Sequence, residues 1–394
     1  MAHRLIGIGI SAVMVLLPSF GLVSGPAFAG LTITLLLLSL ARCQSNQIRL
    51  ELRRFDWRLW CLAVGFSLWS ALGAIGNPNA ATVVHQSLQV GLIFFGALLL
   101  IEVARQTAAS LAPHQQGLIR LVALGLVLGV LTLAIDRALG YPLRELVVKN
   151  NHPTQYNRGI AYVCLLILPA IAYALEQRLW RSLVLLLGGG VLAIGLGSNS
   201  TAVVAAVVGA ITIAIAYYFP RLMRLGLQII VGLVFVIAPW ILGAISSLHR
   251  QFSGVIKGSA VHRLEIWNYM SQRISAHPVM GWGLGTAKDL SVSEAEREQY
   301  LYAGTEGIYP HNQLLQLWVE TGAVGVFLFL LFLQLVIVTV SQFTGWYRHL
   351  GYGALVMALT TALVNYEITT DSWWDCLAVT AALFMILRQN QRRA

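Results

Sequence analysis

Tyr309-Pro310-His311-Asn312-Gln313-Leu314-Leu315 lies in the last part of the longest polar stretch of this chain, an island running from about Leu248 to Glu320 between two apolar runs. Its reading decides the fold, because nearly everything on either side of it is apolar. Of the 394 residues, 57% are hydrophobic and only 11% are charged. That is the composition of a polytopic membrane protein rather than of a soluble core.

Working outward from the island, a membrane span needs roughly 20 predominantly apolar residues, and the chain offers about twelve such runs. They cover approximately 5–23, 26–40, 59–75, 82–103, 118–135, 159–175, 183–196, 201–219 and 225–247 before the island, then 322–341, 351–365 and 374–387 after it. The sequence therefore predicts an all-α polytopic membrane protein with about twelve transmembrane helices. No repeat period, low-complexity tail or soluble domain interrupts it, so residues 1–394 form one transmembrane domain with residues 248–321 as its large loop region.

Orientation follows from arginine and lysine, which collect in short cytoplasmic loops. With the N-terminus inside, the inner loops carry Arg42, Arg49, Arg53, Arg54 and Arg58, then Arg105, Arg178 and Arg181, Arg221 and Arg224, Arg348, and finally Arg388, Arg392 and Arg393. The outer segments are mixed: Arg137, Arg144 and Lys149 lie in one, and the last has Glu367 and Asp371 without a base. Both termini are expected in the cytoplasm and the island outside. The net charge of +10 calls for no nucleic acid, since inner loops beside anionic membrane lipid account for much of it.

Ala27-Phe28-Ala29 has the pattern of a signal-peptidase site. The first apolar run is long for a signal core and a second follows at once, which favours a retained helical hairpin. Cys43, Cys61, Cys164 and Cys376 place no pair on the oxidising side, so neither a disulfide framework nor a cysteine metal site is implied.

Two outer segments stand out. The first runs from Asp136 to Arg158 and ends in a polar approach from Asn150 to Arg158. The second is the island, where Gly258-Ser259 reads as a helix start and Leu264, Trp267, Met270 and Ile274 recur at helical spacing until His277-Pro278. Arg263 and Trp267 lie at i and i+4 on one face. Gly281-Trp282-Gly283-Leu284-Gly285 is a turn-rich connection whose spacing does not fit a nucleotide fingerprint. Asp289, Glu294, Glu296 and Glu298 then have the composition of an outer loop.

Three residues carry the chemistry in this reading. Arg158 sits at the outer end of a span, where a guanidinium can hold a phosphate through paired hydrogen bonds; the plainer alternative is a snorkelling interfacial anchor. Arg263 can bind an anionic headgroup while the Trp267 indole packs on a sugar face, or it can be a membrane-surface arginine. His311, with an ordinary pKa near about 6.5, can take a proton from a hydroxyl at physiological pH. A helix beginning near Pro310 would give His311 an apolar stripe of Leu314, Leu315 and Trp318, favouring the neutral form. The alternative is a polar residue settling the helix start. Glu320 would face the other side of such a helix, so a His-Glu dyad is not expected.

Tyr309, Asn312 and Asn157 are second-rank candidates for orienting sugar or lipid, and His85 for lining a cavity. His249, His262, His277 and His311 lack the close spacing of a zinc site, so no metal or other cofactor is expected. Asp371 and Asp375 read as carboxylates complementing a helix start, and Asn199-Ser200-Thr201 as a tight turn rather than a glycosylation site.

Taken together, Arg263, the run His277-Pro278-Val279-Met280-Gly281-Trp282-Gly283-Leu284-Gly285, and His311-Asn312-Gln313-Leu314-Leu315 leading into Glu320-Thr321-Gly322 and Gly325 resemble the O-antigen ligase superfamily of bacterial inner-membrane glycosyltransferases. The short length looks more like the ligase branch than the larger protein-glycosylating branch. One departure stands out: many relatives carry a Ser-Arg pair opening a span where this chain reads Asn199-Ser200-Thr201, and Arg158 is the candidate to supply that guanidinium.

The resemblance implies a GT-C-like glycosyltransferase of the bacterial inner membrane with a periplasmic site. It would transfer a preassembled glycan from undecaprenyl diphosphate to lipid A-core in lipopolysaccharide biosynthesis, inverting and independent of metal. Arg158 and Arg263 would hold the diphosphate and His311 would act as general base. An O-antigen polymerase is the alternative within the superfamily. A lipid-linked glycan transporter, needing no base, is the alternative outside it.

Overall fold

The computed structural model describes residues 2–45, 50–51, 55–148, 156–197, 199–248, 251, 258–290, 294, 298 and 309–388. Among these, every long element is an α-helix: α1 (Ala2–Val23), α2 (Gly25–Ser45), α3 (Trp57–Leu72), α4 (Ala80–Leu111), α5 (Gln115–Ala138), α6 (Pro142–Val148) and α7 (Asn157–Glu176), then α8 (Trp180–Leu196), α9 (Ser200–Tyr218), α10 (Pro220–Ser246), α11 (Gly258–Ala276), α12 (Gln313–Ser341), α13 (Gly345–Asn365) and α14 (Asp371–Leu387). The chain is all-helical because a helix satisfies its own backbone without water, which a lipid environment demands.

Each of the twelve apolar runs falls on one helix, with α6 and α11 added between them. Among the described residues, six stretches are long and apolar enough to cross a membrane by length and composition: Gly25–Gln44, Ala80–Ala138 (which holds α4 and α5), Asn157–Glu176, Ser200–Tyr218, Pro220–Ser246 and Gln313–Ser341. Ile6–Leu22 and Trp180–Leu196 are shorter apolar helices. α3, with 16 residues, reaches about 24 Å, less than the ~30 Å hydrocarbon core.

α7 is the central post, with every side chain from Gly159 to Ala174 buried. Gly159 lets it approach the backbone of Gly21 and Leu22 in α1 so closely that a Cβ would collide, the close approach that small residues permit between membrane helices. Outward faces show the reverse pattern: Val184 and Val191 of α8, Val207 and Ile211 of α9, and Leu233 and Trp240 of α10 are all exposed. Large apolar faces left open in this way suit lipid rather than water.

Polar cross-links tie the helix ends at two levels. At one end the Gln115 amide donates to the Ile386 carbonyl (2.7 Å), Tyr347 Oη to Leu387 O (2.8 Å), and the Trp346 N–H to Glu176 Oε1 (2.6 Å). At the other end the Asn199 amide donates to Asn157 O (2.6 Å), and Trp69 Nε1 to Thr321 O (2.8 Å). The segment holding the candidate chemistry is built on this second end.

Proline explains one joint there. Pro239 inside α10 has no N–H to offer the Phe235 carbonyl four residues back. The indole N–H of Trp318 in α12 donates to that carbonyl instead, at 2.8 Å. Ser271 Oγ of α11 donates to Pro239 O itself, at 3.1 Å. Three helices thus meet where one of them lacks a backbone donor.

Candidate functional site

α12 is interrupted where the sequence expects a span to begin. Gly322 has φ 62° and ψ −169°, values that break the helix, so the carbonyls just before it lose their usual donors. The glycine-rich run replaces them as a strap. Trp282 N–H donates to Val319 O (2.8 Å) and Gly283 N–H to Glu320 O (2.9 Å), while Ala323 N–H donates back to Pro278 O (2.9 Å). Gly281, at φ 70°, passes so near that a Cβ would lie 2.5 Å from the Glu320 carbonyl carbon. Glycine is the residue that fits both conditions.

Side chains lock the strap in place. Asn77 Nδ2, in the turn between α3 and α4, donates to Trp282 O (2.6 Å). Glu320 is buried; its Oε1 accepts from Ala287 N–H (3.2 Å) and its Oε2 from Gln316 Nε2 (3.1 Å). Gln316 Oε1 in turn accepts from Ile368 N–H (2.9 Å), joining α12 to the turn before α14. Glu320 is committed to the strap and makes no pair with His311.

His311 sits just outside α12, at φ 49°, in the left-handed region that costs a non-glycine residue roughly 1–2 kcal/mol. The helix starts at Gln313, and Asn312 is its cap: Asn312 Oδ1 accepts from Leu314 N–H (3.0 Å) and Leu315 N–H (3.1 Å). This corrects the reading of a helix from Pro310 with His311 on its apolar stripe. The capping role belongs to Asn312, whose own backbone can follow an extended course into the helix, and His311 is left as the strained residue before it. Trp267 of α11 holds the preceding residue, its Nε1 donating to Pro310 O at 2.9 Å.

The His311 imidazole is half-buried. Burial is the largest cause pushing its pKa below the ordinary value, and the Arg263 and Arg158 guanidiniums and His262 add to the same direction. Cations from α11 and α7 therefore bear on one imidazole and favour its neutral form. Arg263 is half-buried, and desolvation lowers its own pKa; a guanidinium keeps its charge through such a shift. Arg158 is exposed at the start of α7, with its carbonyl fixed by the Tyr366 hydroxyl at 3.1 Å.

Other candidates fall around this group. Tyr309 is half-buried, and burial with the carboxylates of Glu320, Glu367 and Asp289 raises its pKa, so it is a neutral phenol. Lys288 Nζ lies 5.9 Å from its ring centroid. Asn157 offers its carbonyl to Asn199, which also caps α9 through Ala202 N–H (3.0 Å) and is buried. His85 is exposed on α4, and its neighbour Gln86 packs against Gly285 of the strap. His249, the approach from Asn150 to Gln155, Glu296, and Arg49, Arg53, Arg54, Arg392 and Arg393 lie outside the described residues.

Two residues were not anticipated as site members. Glu367 is half-buried; burial raises its pKa, and Arg158 and Lys288 pull it back. Its place in a short outer loop with Asp371 and no base was the available signal. Gln313 is buried beside an apolar pocket between α10, α12 and α13, and its amide nitrogen has no hydrogen-bond partner among the described residues. A glutamine opening a largely apolar helix was the clue.

Comparison with a known family covers Arg263, the strap and His311 but not Arg158. Residues 182–330 match the model of the family described as O-antigen ligase. The chain is 26% identical over 132 residues to a protein of Rickettsia felis named "Putative polysaccharide ligase", an alignment covering 33% of this chain and 32% of that one. A Rickettsia typhi protein of like name is 27% identical over 138 residues, covering 33% of each. The chain thus aligns with about a third of the length of these relatives. These findings support membership of the O-antigen ligase family.

Proposed function

We propose that this protein, a multi-pass membrane protein with an O-antigen ligase match over residues 182–330, transfers a preassembled glycan from undecaprenyl diphosphate to lipid A-core. The observation that carries the reading is the half-buried His311 imidazole, whose neutral form is favoured by burial and by two guanidiniums from different helices.

In this account His311 takes the proton of the acceptor hydroxyl as its oxygen attacks the anomeric carbon. The bond from that carbon to the phosphate oxygen breaks, and undecaprenyl diphosphate leaves with the electron pair. Arg158 and Arg263 hold the growing negative charge on the leaving diphosphate. Direct displacement inverts the anomeric centre. Tyr309 and Trp267 border the sugar, while Asn312 acts through the helix cap that sets His311.

Arg158 supplying the guanidinium of the relatives' Ser-Arg pair is supported by the Asn199 amide, which staples the start of α9 to Asn157, the neighbour of Arg158. A twelve-span, GT-C-like arrangement with both termini cytoplasmic is our reading of the twelve helices that carry apolar runs and of the basic loops between them. The His311 end would then face the periplasm of a bacterial inner membrane, with residues 248–321 as its loop region.

The test is transfer by purified protein in detergent and chelator with the lipid-linked glycan and lipid A-core as the only substrates. Inverted product from wild type, and none from His311→Ala, is expected. Product with retained configuration would sink the displacement mechanism. Extension of the donor glycan in place of ligation would make the protein a polymerase, and translocation without transfer a transporter.

A further inference from the structure

At the end of the bundle opposite His311, helices α1, α2, α4, α5 and α14 leave a cavity of about 690 Å³ that the proposed reaction does not use. Its volume falls within the ~300–1,000 Å³ typical of ligand sites. Met14, Leu35, Leu100 and Val379 form its deep wall, and Arg42 and His114 stand among its lining residues at the helix ends. Among the described residues, no acidic side chain lines it. Along α4 it runs from Leu111 to Leu100, about 16 Å at the helical rise per residue. That is close to one leaflet, about half of the ~30 Å hydrocarbon core.

We propose that this cavity binds one acyl chain of an anionic membrane phospholipid, with the phosphate against Arg42 and His114. The apolar depth matches a chain of the same leaflet. Arg42 and His114 at the rim favour a negative headgroup, since a guanidinium makes charge-assisted bonds to phosphate. Arg42 stands in the last turn of α2. The site stands apart from the ligase reading and does not rest on it.

Native mass spectrometry of the purified full-length protein, given phosphatidylglycerol or phosphatidylcholine of equal chain length, tests the idea. Wild type should retain one phosphatidylglycerol, and Arg42→Gln should weaken that retention about tenfold, the loss of one charge-assisted hydrogen bond. Glycerol phosphate without acyl chains should not displace the lipid. Equal retention of the two lipids, or displacement by the bare headgroup, would overturn the proposal. A phosphatidylglycerol carrying a photoreactive acyl chain, used on wild type, avoids any folding defect of the variant. Crosslinks should fall on cavity residues such as Ala104 and Leu118; crosslinks spread evenly over the outward faces of α8, α9 and α10 would overturn it.

Discussion

The indole of Trp267 donates to the carbonyl of Pro310 at 2.9 Å, so the helix that carries Arg263 also fixes the residue leading into His311. Losing this bond should disturb the base more than the phosphate-holding arginine. Trp267→Phe keeps the ring and removes the donor, worth about 0.5–1.5 kcal/mol. We expect kcat to fall about tenfold with KM for the lipid-linked donor little changed, measured by transfer kinetics. A raised KM with unchanged kcat would mean that the indole serves donor binding instead.

The pH profile follows from the lowered pKa of His311. A general base works in its neutral form, so kcat/KM should stay level as pH falls through the ordinary histidine value near ~6.5 and drop only below it. Arg263→Gln removes a charge that disfavours the imidazolium, so the residual activity of this variant should lose its acid limb at higher pH than wild type. An acid limb that does not move would detach Arg263 from His311.

Gly322→Ala puts a Cβ at a left-handed residue, against the Val279 carbonyl. The backbone strain alone is about 1–3 kcal/mol. A clear fall in Tm in detergent is expected, with a much smaller fall for Gly226→Ala, where a Cβ meets nothing within 4 Å. Equal Tm values for the two variants would contradict the strap.

Trp318 and Pro239 form a testable pair, because the indole serves a carbonyl that the proline leaves without a donor. Trp318→Phe should cost about 1–3 kcal/mol in the native background, where it orphans a buried acceptor. In a Pro239→Ala background the restored backbone N–H can serve Phe235, so the cost should shrink. Additive losses in thermal unfolding would reject the coupling.

Gln313 brings a buried amide to an apolar pocket without a partner among the described residues. Gln313→Leu should leave stability unchanged or raise it by about 1 kcal/mol, since an unpaired polar group is removed. If the amide meets the donor lipid, KM for that donor rises. A stability loss without any kinetic change would make Gln313 purely structural.

The apolar runs were legible because the helix is the local solution to a lipid solvent, and each run became one helix. The limits of α11 were legible too, from Gly258 at one end and His277-Pro278 at the other. What escaped was long-range. Trp69, Asn77 and Gln316 bond to segments far away in sequence, and no local pattern announces such partners. The glycine run was visible as a turn, yet its task of satisfying a broken helix depends on Gly322, which reads as the ordinary start of a span. His311 and Asn312 are adjacent polar residues, and only the backbone shows which of them caps α12.

The most direct measurement separates binding from turnover: donor affinity and single-turnover transfer in wild type, His311→Gln, Arg158→Gln and Arg263→Gln. The account predicts that His311→Gln binds the undecaprenyl diphosphate donor like wild type yet forms no product, while each arginine variant loses donor affinity. Product at the wild-type rate from His311→Gln would contradict it.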